Sequence, residues 1–293
     1  MTTYRIDTPA KLNLRLKVTG KRPDGYHDIV SVMVPIDLCD HLELKTAEAG
    51  QIALFGDGYE VPWDESNLVY RAARAFISHA APPKGISIKV RKNIPVAAGM
   101  GGGSSDAAAT LLALNGLWEQ PLSPKELDDL AKGLGADVPF FLRCTPSLAL
   151  GIGEILEPLE NWPESWYIVV KPALQISTAW AFGHLKLELT SREDKYIKNF
   201  SVNNRAALFQ ILENDLEKVT SANYPIIETI KRRLLEAGAE GALMTGSGPS
   251  VFGVFPSSNS AISAKKNIIS QNLGEVFLAT HWQRPRDSGI YLG

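Results

Sequence analysis

Residues 95–109 read PVAAGMGGGSSDAAA, with four glycines in the five positions from 99 to 103. No other stretch limits the possible folds so tightly. Glycine loses more backbone freedom on folding than any other residue, so a run this dense needs a compensating role. It leads directly into DAAATLLALNGL, whose alanines and leucines predict a helix ending at Asn115-Gly116. Bare amides running into a helix N-terminus form an anion site: the helix dipole favours negative charge, and the missing Cβ lets phosphate oxygens reach the N–H groups. Ser104 and Ser105 can cap that helix or bond a phosphate or its metal. A tight turn under a sheet would need fewer glycines, so phosphate binding is the better reading. The common phosphate loops do not fit. A P-loop would need GK[ST]. Gly99-Met100-Gly101 opens a GxGxxG, but Ser104 stands at the third glycine and no acid follows at the dinucleotide spacing. The downstream VAIK-type lysine of a protein kinase is absent as well.

The rest of the chain predicts an α+β fold. KLNLRLKV alternates, with Leu12, Leu14, Leu16 and Val18 on one side and Lys11, Asn13, Arg15 and Lys17 on the other, the period of a half-buried strand. KRPDGYH supplies a turn before the apolar run IVSVMVPI, which suggests an antiparallel hairpin. Further strands are expected at 41–46 and 86–91, with a helix at 67–79 between them. SPKELDDLAKGLG reads as a helix with Ser123 and Glu126 as a capping box and Pro124 at its first position. GADVPFFLRC is a turn into an apolar run. A connection at 157–166 precedes the strand YIVVKP, helices at 178–189, 204–218 and 225–237, strands GALMTG and VFGVFP, a helix at 260–272 and the strand VFLAT. A soft boundary near 160 divides the chain into 1–160 and 161–293, each with antiparallel strands and helices on one face.

Composition narrows the partners. The 293 residues carry a formal net charge of −2, which argues against a broad nucleic-acid footprint but leaves room for a local basic patch around a phosphorylated ligand. No apolar run is long enough for a membrane span. The start MTTYRIDTPAKLNL lacks a secretory layout, and Cys39 and Cys144 have no CxxC spacing, so reduced thiols in a cytoplasmic protein are expected.

Three other features stay ambiguous when taken singly. Asp137, in GLGADVPFF, lies between a glycine turn and an apolar run, where a partly desolvated carboxylate would want a cation; it reads as readily as a turn or cap residue. Lys11 sits on the polar side of the first strand, where exposed lysines are common. Thr245, Gly246, Ser247 and Gly248 link two strands, a junction for which two residues would suffice.

Together, PAKLNL, PxxxGMGGGSS and TGSGPS resemble the three motifs of the GHMP small-molecule kinases, a family that includes galactokinase, homoserine kinase, mevalonate kinase and phosphomevalonate kinase. Order, spacing and length agree over essentially the whole chain. PAKLNLRLKVTGKRPDGYHDIVSVMVPIDLCD, GADVPFF and NDLE (214–217) narrow the resemblance to the branch acting on a cytidine diphosphate-linked methylerythritol, in the non-mevalonate isoprenoid pathway; the GYH after the turn discriminates most. The resemblance implies an S5-domain-2-like N-terminal domain, a ferredoxin-like C-terminal domain and an active site in the cleft between them. It implies transfer of the ATP γ-phosphoryl to the acceptor's 2-hydroxyl. ATP and Mg²⁺ would be the cofactors, the partner a small molecule rather than nucleic acid or membrane, and the protein a monomer or weak homodimer. Lys11 and Asp137 match the family's catalytic pair, as charge stabiliser and general base. Pro95, Val96, Ala97, Ala98, Gly99, Met100, Gly101, Gly102, Gly103, Ser104 and Ser105 match its ATP loop, with Met100 in place of a more frequent leucine. Asn13 matches a substrate contact, Tyr26 and His27 match the cytidine site, and Phe182 matches an aromatic placed against cytosine, with Trp180 in that role if the register slips by two. Metal ligands are expected to be phosphate oxygens, water and Ser105. Rival readings are another kinase of the family, a non-catalytic nucleotide binder and an S5-like RNA-binding protein. Lys11 with Asp137 and the GYH segment argue against the first; the Lys11/Asp137 pair and the net charge argue against the others.

Overall fold

A computed structural model describes residues 3–185 and 204–283. β1 (Thr3–Lys21) and β2 (His27–Ala47) form a long antiparallel hairpin. Its turn is closed by Arg22 N donating to Tyr26 O (2.8 Å) and Gly25 N to Arg22 O (3.1 Å). β2 joins the expected strands at 29–36 and 41–46 into one, bulged where the register jumps from Pro9↔Cys39 to Ala10↔Ile36. β3 (Ile52–Gly58), α1 (Leu68–Ala80) and β4 (Gly85–Lys92) follow; β3 was not foreseen, and it runs parallel to β4. Asn67 caps α1 by accepting from Val69 N at 2.9 Å. Next come α2 (Gly102–Leu117), α3 (Pro124–Leu134) with its Ser123–Glu126 capping box, and α4 (Val138–Arg143), a short helix where a plain apolar run was expected. β5 (Ser147–Leu150) and β6 (Ile155–Pro158), also unforeseen, turn back onto β2.

The chain then enters a second sheet. The elements from here on are β7 (Trp166–Lys171), α5 (Thr178–Gly183), α6 (Arg205–Gln210), β8 (Glu213–Asn214), α7 (Asp215–Asn223), α8 (Ile226–Glu236), β9 (Gly241–Met244), β10 (Val251–Phe255), α9 (Ser258–Ser270) and β11 (Glu275–Thr280), of which β8 returns to the first sheet. The order β11-β7-β10-β9, antiparallel throughout, is that of a ferredoxin-like βαββαβ unit. The first sheet runs β3-β4-β2-β1-β8, with β5 and β6 attached to β2.

Two expected helices differ. Positions 186–189 of the helix expected at 178–189 lie outside the described residues. The helix expected at 204–218 is broken into α6 and α7 by β8, which pairs parallel with β1 through Arg15↔Glu213 and Leu16↔Asn214. Asn214 makes the break. Its Oδ1 accepts from Leu216 N (3.0 Å) to cap α7, while Nδ2 donates to Met244 O (2.7 Å) and Gly246 O (2.9 Å). Asparagine competes with the helical backbone in this way, and favours a cap over an interior.

The layers stack as helices, sheet, sheet, helices. One face of the first sheet (Met33, Leu42, Leu44, Ile88) packs on α1–α4. Its other face (Leu12, Leu14, Val32, Val34) meets Tyr167, Val169, Phe252 and Val254 of the second sheet. The far face of the second sheet (Ile168, Val170, Val251, Phe255) buries α8 and α9. Strands covered on both faces read as continuous apolar runs, as IVSVMVPI and YIVVK do. This also corrects the half-buried reading of β1. Its polar residues Lys11, Asn13 and Arg15 are only 4%, 3% and 3% exposed. Burying three such groups is costly unless each is bonded; Arg15 pairs with Glu213, and the partners of Lys11 and Asn13 lead to the site.

Candidate active site

A cavity of about 1050 Å³ opens over the N-terminus of α2. Gly101 caps this helix in the left-handed conformation (φ 70°), no side chain caps it, and its first turn holds no acidic residue. The amides there are therefore open to an anion, and the helix dipole reinforces them. Pro95 to Ser104 all line the cavity. Ser105 does not: it is buried, its amide donating to Gly101 O at 2.9 Å, so the hydroxyl facing the cavity is that of Ser104. The glycines answer to close packing. A Cβ on Gly99 (φ 74°) would lie 2.3 Å from Thr245 O, and one on Gly101 would lie 2.9 Å from the Phe141 ring and 3.3 Å from Lys11 Cε.

Lys11 Nζ lies 3.7 Å from Asp137 Oδ2. β1 supplies the lysine, and its backbone amide donates to Met100 O at 2.9 Å, tying the strand to the loop. Asp137 precedes α4 but makes no side-chain cap there, so its partly exposed carboxylate faces Lys11 and the cavity instead. Lys11 Nζ also donates to Asn13 Oδ1. Asn13 N donates to Thr245 Oγ1 at 2.9 Å, which brings the third motif against the first. Gly246, Ser247 and Gly248 line the same cavity, and the hydroxyls of Ser247 and Thr178 share a 2.9 Å hydrogen bond.

At the other end, the rings of His27 and Phe182 stack with centroids 5.1 Å apart and planes 26° apart, beside the exposed Tyr26. Burial, and then the Lys21 charge, hold the His27 pKa below its ordinary value. Phe182 lines the cavity. Trp180 packs instead against His184 (4.6 Å) and Tyr224 (5.6 Å).

Sequence reasoning passed over a buried charge cluster behind the loop. Lys92 Nζ donates to Asp106 Oδ2 (2.6 Å) and to Asp40 Oδ2; Thr8 Oγ1 donates to Asp106 Oδ1 (2.6 Å). Asp40 Oδ1 accepts from the amides of Asn93 (2.5 Å) and Ile94 (2.8 Å), fixing the entry to the loop. Burial, then the Asp40 charge, push the Asp106 carboxyl up to about 6 against the pull of Lys92. Burial works against the Lys92 ammonium, but Asp106 and Asp40 outweigh it and raise its pKa. The available signal was an aspartate in an otherwise apolar, alanine-rich helix.

Among the described residues no three His, Cys, Asp or Glu side chains group as a metal site. Asp106, Asp137, Ser104 and Ser247 bring hard oxygens to the cavity lining, and both Asp106 oxygens are taken by Lys92 and Thr8. So small a donor set suits Mg²⁺, which keeps several waters and shares phosphate oxygens. No helix among the described residues is long and apolar enough to cross a membrane.

Comparison with known proteins fits this geometry. Residues 67–144 match the GHMP kinases N terminal domain and residues 196–273 the GHMP kinases C terminal domain. The chain is 43% identical over 264 residues to 4-diphosphocytidyl-2-C-methyl-D-erythritol kinase of Syntrophotalea carbinolica, covering 90% of this chain and 94% of that one. It is 44% identical over 264 residues to the protein of the same name from Geobacter sulfurreducens, with the same coverage. A crystal structure of 4-(cytidine 5'-diphospho)-2C-methyl-D-erythritol kinase superposes with a TM-score of 0.78 at 32% identity, covering 94% of this chain and 98% of that one. Homoserine kinase from Cytophaga hutchinsonii, at 18% identity and a TM-score of 0.72 over 96% and 95% of the two chains, shares the fold.

Proposed function

The chain belongs to the GHMP kinases, ATP-dependent kinases of small molecules, and from that premise we propose that it transfers the ATP γ-phosphoryl to the 2-hydroxyl of 4-diphosphocytidyl-2-C-methyl-D-erythritol. The products are the 2-phosphate and ADP, and the reaction belongs to the non-mevalonate isoprenoid pathway. One observation carries the reading. The Lys11–Asp137 pair, 3.7 Å apart, lies on a cavity that has bare amides at one end and the His27–Phe182 stack at the other.

Phosphoryl transfer asks little covalent work of a protein; positioning and charge stabilisation dominate. The amides of the 99–104 loop and of the first turn of α2 hold the β- and γ-phosphates. Asp137 accepts the proton of the attacking hydroxyl. Lys11 balances that carboxylate and the charge on the moving phosphoryl, and Asn13 and the Met100 carbonyl hold it in place. Asp137 and Ser104, which line the cavity, would hold Mg²⁺, and the ion would neutralise phosphate charge when bound. The acceptor's cytosine needs a flat aromatic surface and edge hydrogen bonds, and Tyr26, His27 and Phe182 offer both. In this reading residues 1–160 hold ATP and residues 161–293 close the acceptor side, in a cytoplasmic monomer or weak dimer.

The test is ADP release with three acceptors: the cytidylyl methylerythritol, homoserine and mevalonate. Turnover with the first alone supports the proposal. Turnover with either of the others in its place overturns the acceptor, and no release with any of them overturns the reading altogether.

A further inference from the structure

Behind the Lys11–Asp137 pair runs a buried chain of hydrogen bonds whose direction is fixed at both ends. Lys11 Nζ donates to Asn13 Oδ1; Asn13 Nδ2 donates to Ser31 Oγ at 2.8 Å; Ser31 Oγ donates to Arg15 O at 2.6 Å. An ammonium can only donate and a carbonyl can only accept. Asn13 must therefore turn its oxygen to Lys11 and its NH₂ to Ser31, and Ser31 must pass its own proton to Arg15 O. Lys11, Asn13 and Ser31 are 4%, 3% and 0% exposed, so water does not compete for these bonds. The strand register makes the chain possible. Asn13 pairs with Met33, so Ser31, two residues along β2, is its diagonal neighbour across the strand pair.

We infer that Ser31 is a positioning residue for phosphoryl transfer: its hydroxyl locks the Asn13 amide in the one orientation that holds the Lys11 ammonium beside Asp137. The inference rests on the role proposed above for Lys11. A flipped amide would set an NH₂ against an ammonium, two donors with nothing between them. With Ser31 shortened to alanine, the Asn13 NH₂ becomes a buried donor without an acceptor, and the amide rotates away to find one. Lys11 then loses the group that aims it. Ser31 touches neither phosphate nor acceptor, so nucleotide binding is spared.

The test compares Ser31→Ala with Ser31→Thr, which keeps the hydroxyl; the facing residue on β5 is the small Ala149. In Ser31→Ala, kcat with the cytidylyl acceptor falls about 10-fold, the worth of one misdirected buried hydrogen bond, while KM for ATP stays within about twofold. Ser31→Thr recovers most of kcat. A second readout needs no acceptor: the ¹⁵N-labelled Lys11 ammonium resonance of the free protein, assigned with Lys11→Arg, shifts in Ser31→Ala and returns in Ser31→Thr. An unmoved resonance overturns the positioning role whatever the acceptor proves to be. So does a Ser31→Ala variant with unchanged kcat, or a folded Ser31→Thr variant that recovers neither signal. Failure of the acceptor assignment would appear instead as an unaltered protein that does not turn over the cytidylyl substrate, with the resonance still shifting.

Discussion

Replacing Lys92 by methionine keeps the volume of the side chain and removes its charge, leaving Asp40 and Asp106 as two buried carboxylates around an apolar tip. The side chains of Lys92, Asp40 and Asp106 are 5%, 0% and 3% exposed, so bulk water cannot substitute for the ammonium. Removing one partner from a buried ion pair costs about 3–5 kcal/mol, which for a chain of this size lowers the melting midpoint by about 5–10 °C. The pH dependence is more telling than the size. The Asp106 carboxyl already sits at about 6. A raised carboxyl binds its proton more tightly when folded than when unfolded. Its contribution to stability is therefore present below about pH 4 and is lost as pH rises through about 6. Without the Lys92 ammonium the Asp106 carboxyl is pushed up further, so the penalty deepens with rising pH. Circular-dichroism melts at about pH 5, 6.5 and 8 should show the largest deficit at the top of that range. Adding Asp106→Asn to Lys92→Met should recover part of it. Equal midpoints for Lys92→Met and the unaltered protein near pH 8, or a deficit that does not shrink toward pH 5, would refute the claim that Lys92 neutralises this cluster.

Further outcomes follow from the site. Asp137→Asn should lower kcat by about 10²–10⁴-fold while KM for ATP changes little; single-turnover quench measurements check this, and an unchanged rate removes Asp137 as base. His27→Ala should raise KM for the cytidylyl acceptor far more than KM for ATP. Because the His27 pKa is lowered, the acceptor KM of the unaltered protein should stay flat from about pH 8 to 6.5 and change only below that; a break above pH 6.5 contradicts it. Gly99→Ala meets the Thr245 carbonyl at 2.3 Å from a left-handed backbone, a combined cost of about 2–5 kcal/mol. It should weaken ATP binding measured by calorimetry at least about tenfold, and wild-type affinity would show that the two loops need not touch.

What could be read beforehand was local. The hairpin over Pro23-Asp24-Gly25, the capping box at Ser123 and Glu126 and the glycine run before α2 each depend on neighbouring residues, and each stands where the pattern put it. What escaped depends on partners far along the chain. Lys11, Asn13 and Arg15 alternate as a solvent face would, yet they are buried because the Thr245 loop and Glu213 cover them from more than two hundred positions or nearly two hundred positions away. Asn214 looked like an interior helix residue because its bonds to Met244 O and Gly246 O are long-range. The Asp40–Lys92–Asp106 cluster draws on β2, β4 and α2, and no short motif spells it. At the aromatic end of the cavity the resemblance pointed to Phe182, with Trp180 in its place if the register slips by two; in the fold it is Phe182 that stacks on His27.

The two-residue strand β8 has a topological consequence. The chain leaves the first sheet at Pro158, yet Glu213 and Asn214 return to pair with Arg15 and Leu16, reinforced by the Arg15–Glu213 ion pair (2.9 Å) and by Val18 N donating to Asp215 Oδ2 (2.8 Å). A single cut near residue 160 therefore does not yield two finished bodies. The first fragment lacks the strand that closes its edge, and the second carries that strand with nothing to pair it. The halves are interleaved, and each is completed by the other.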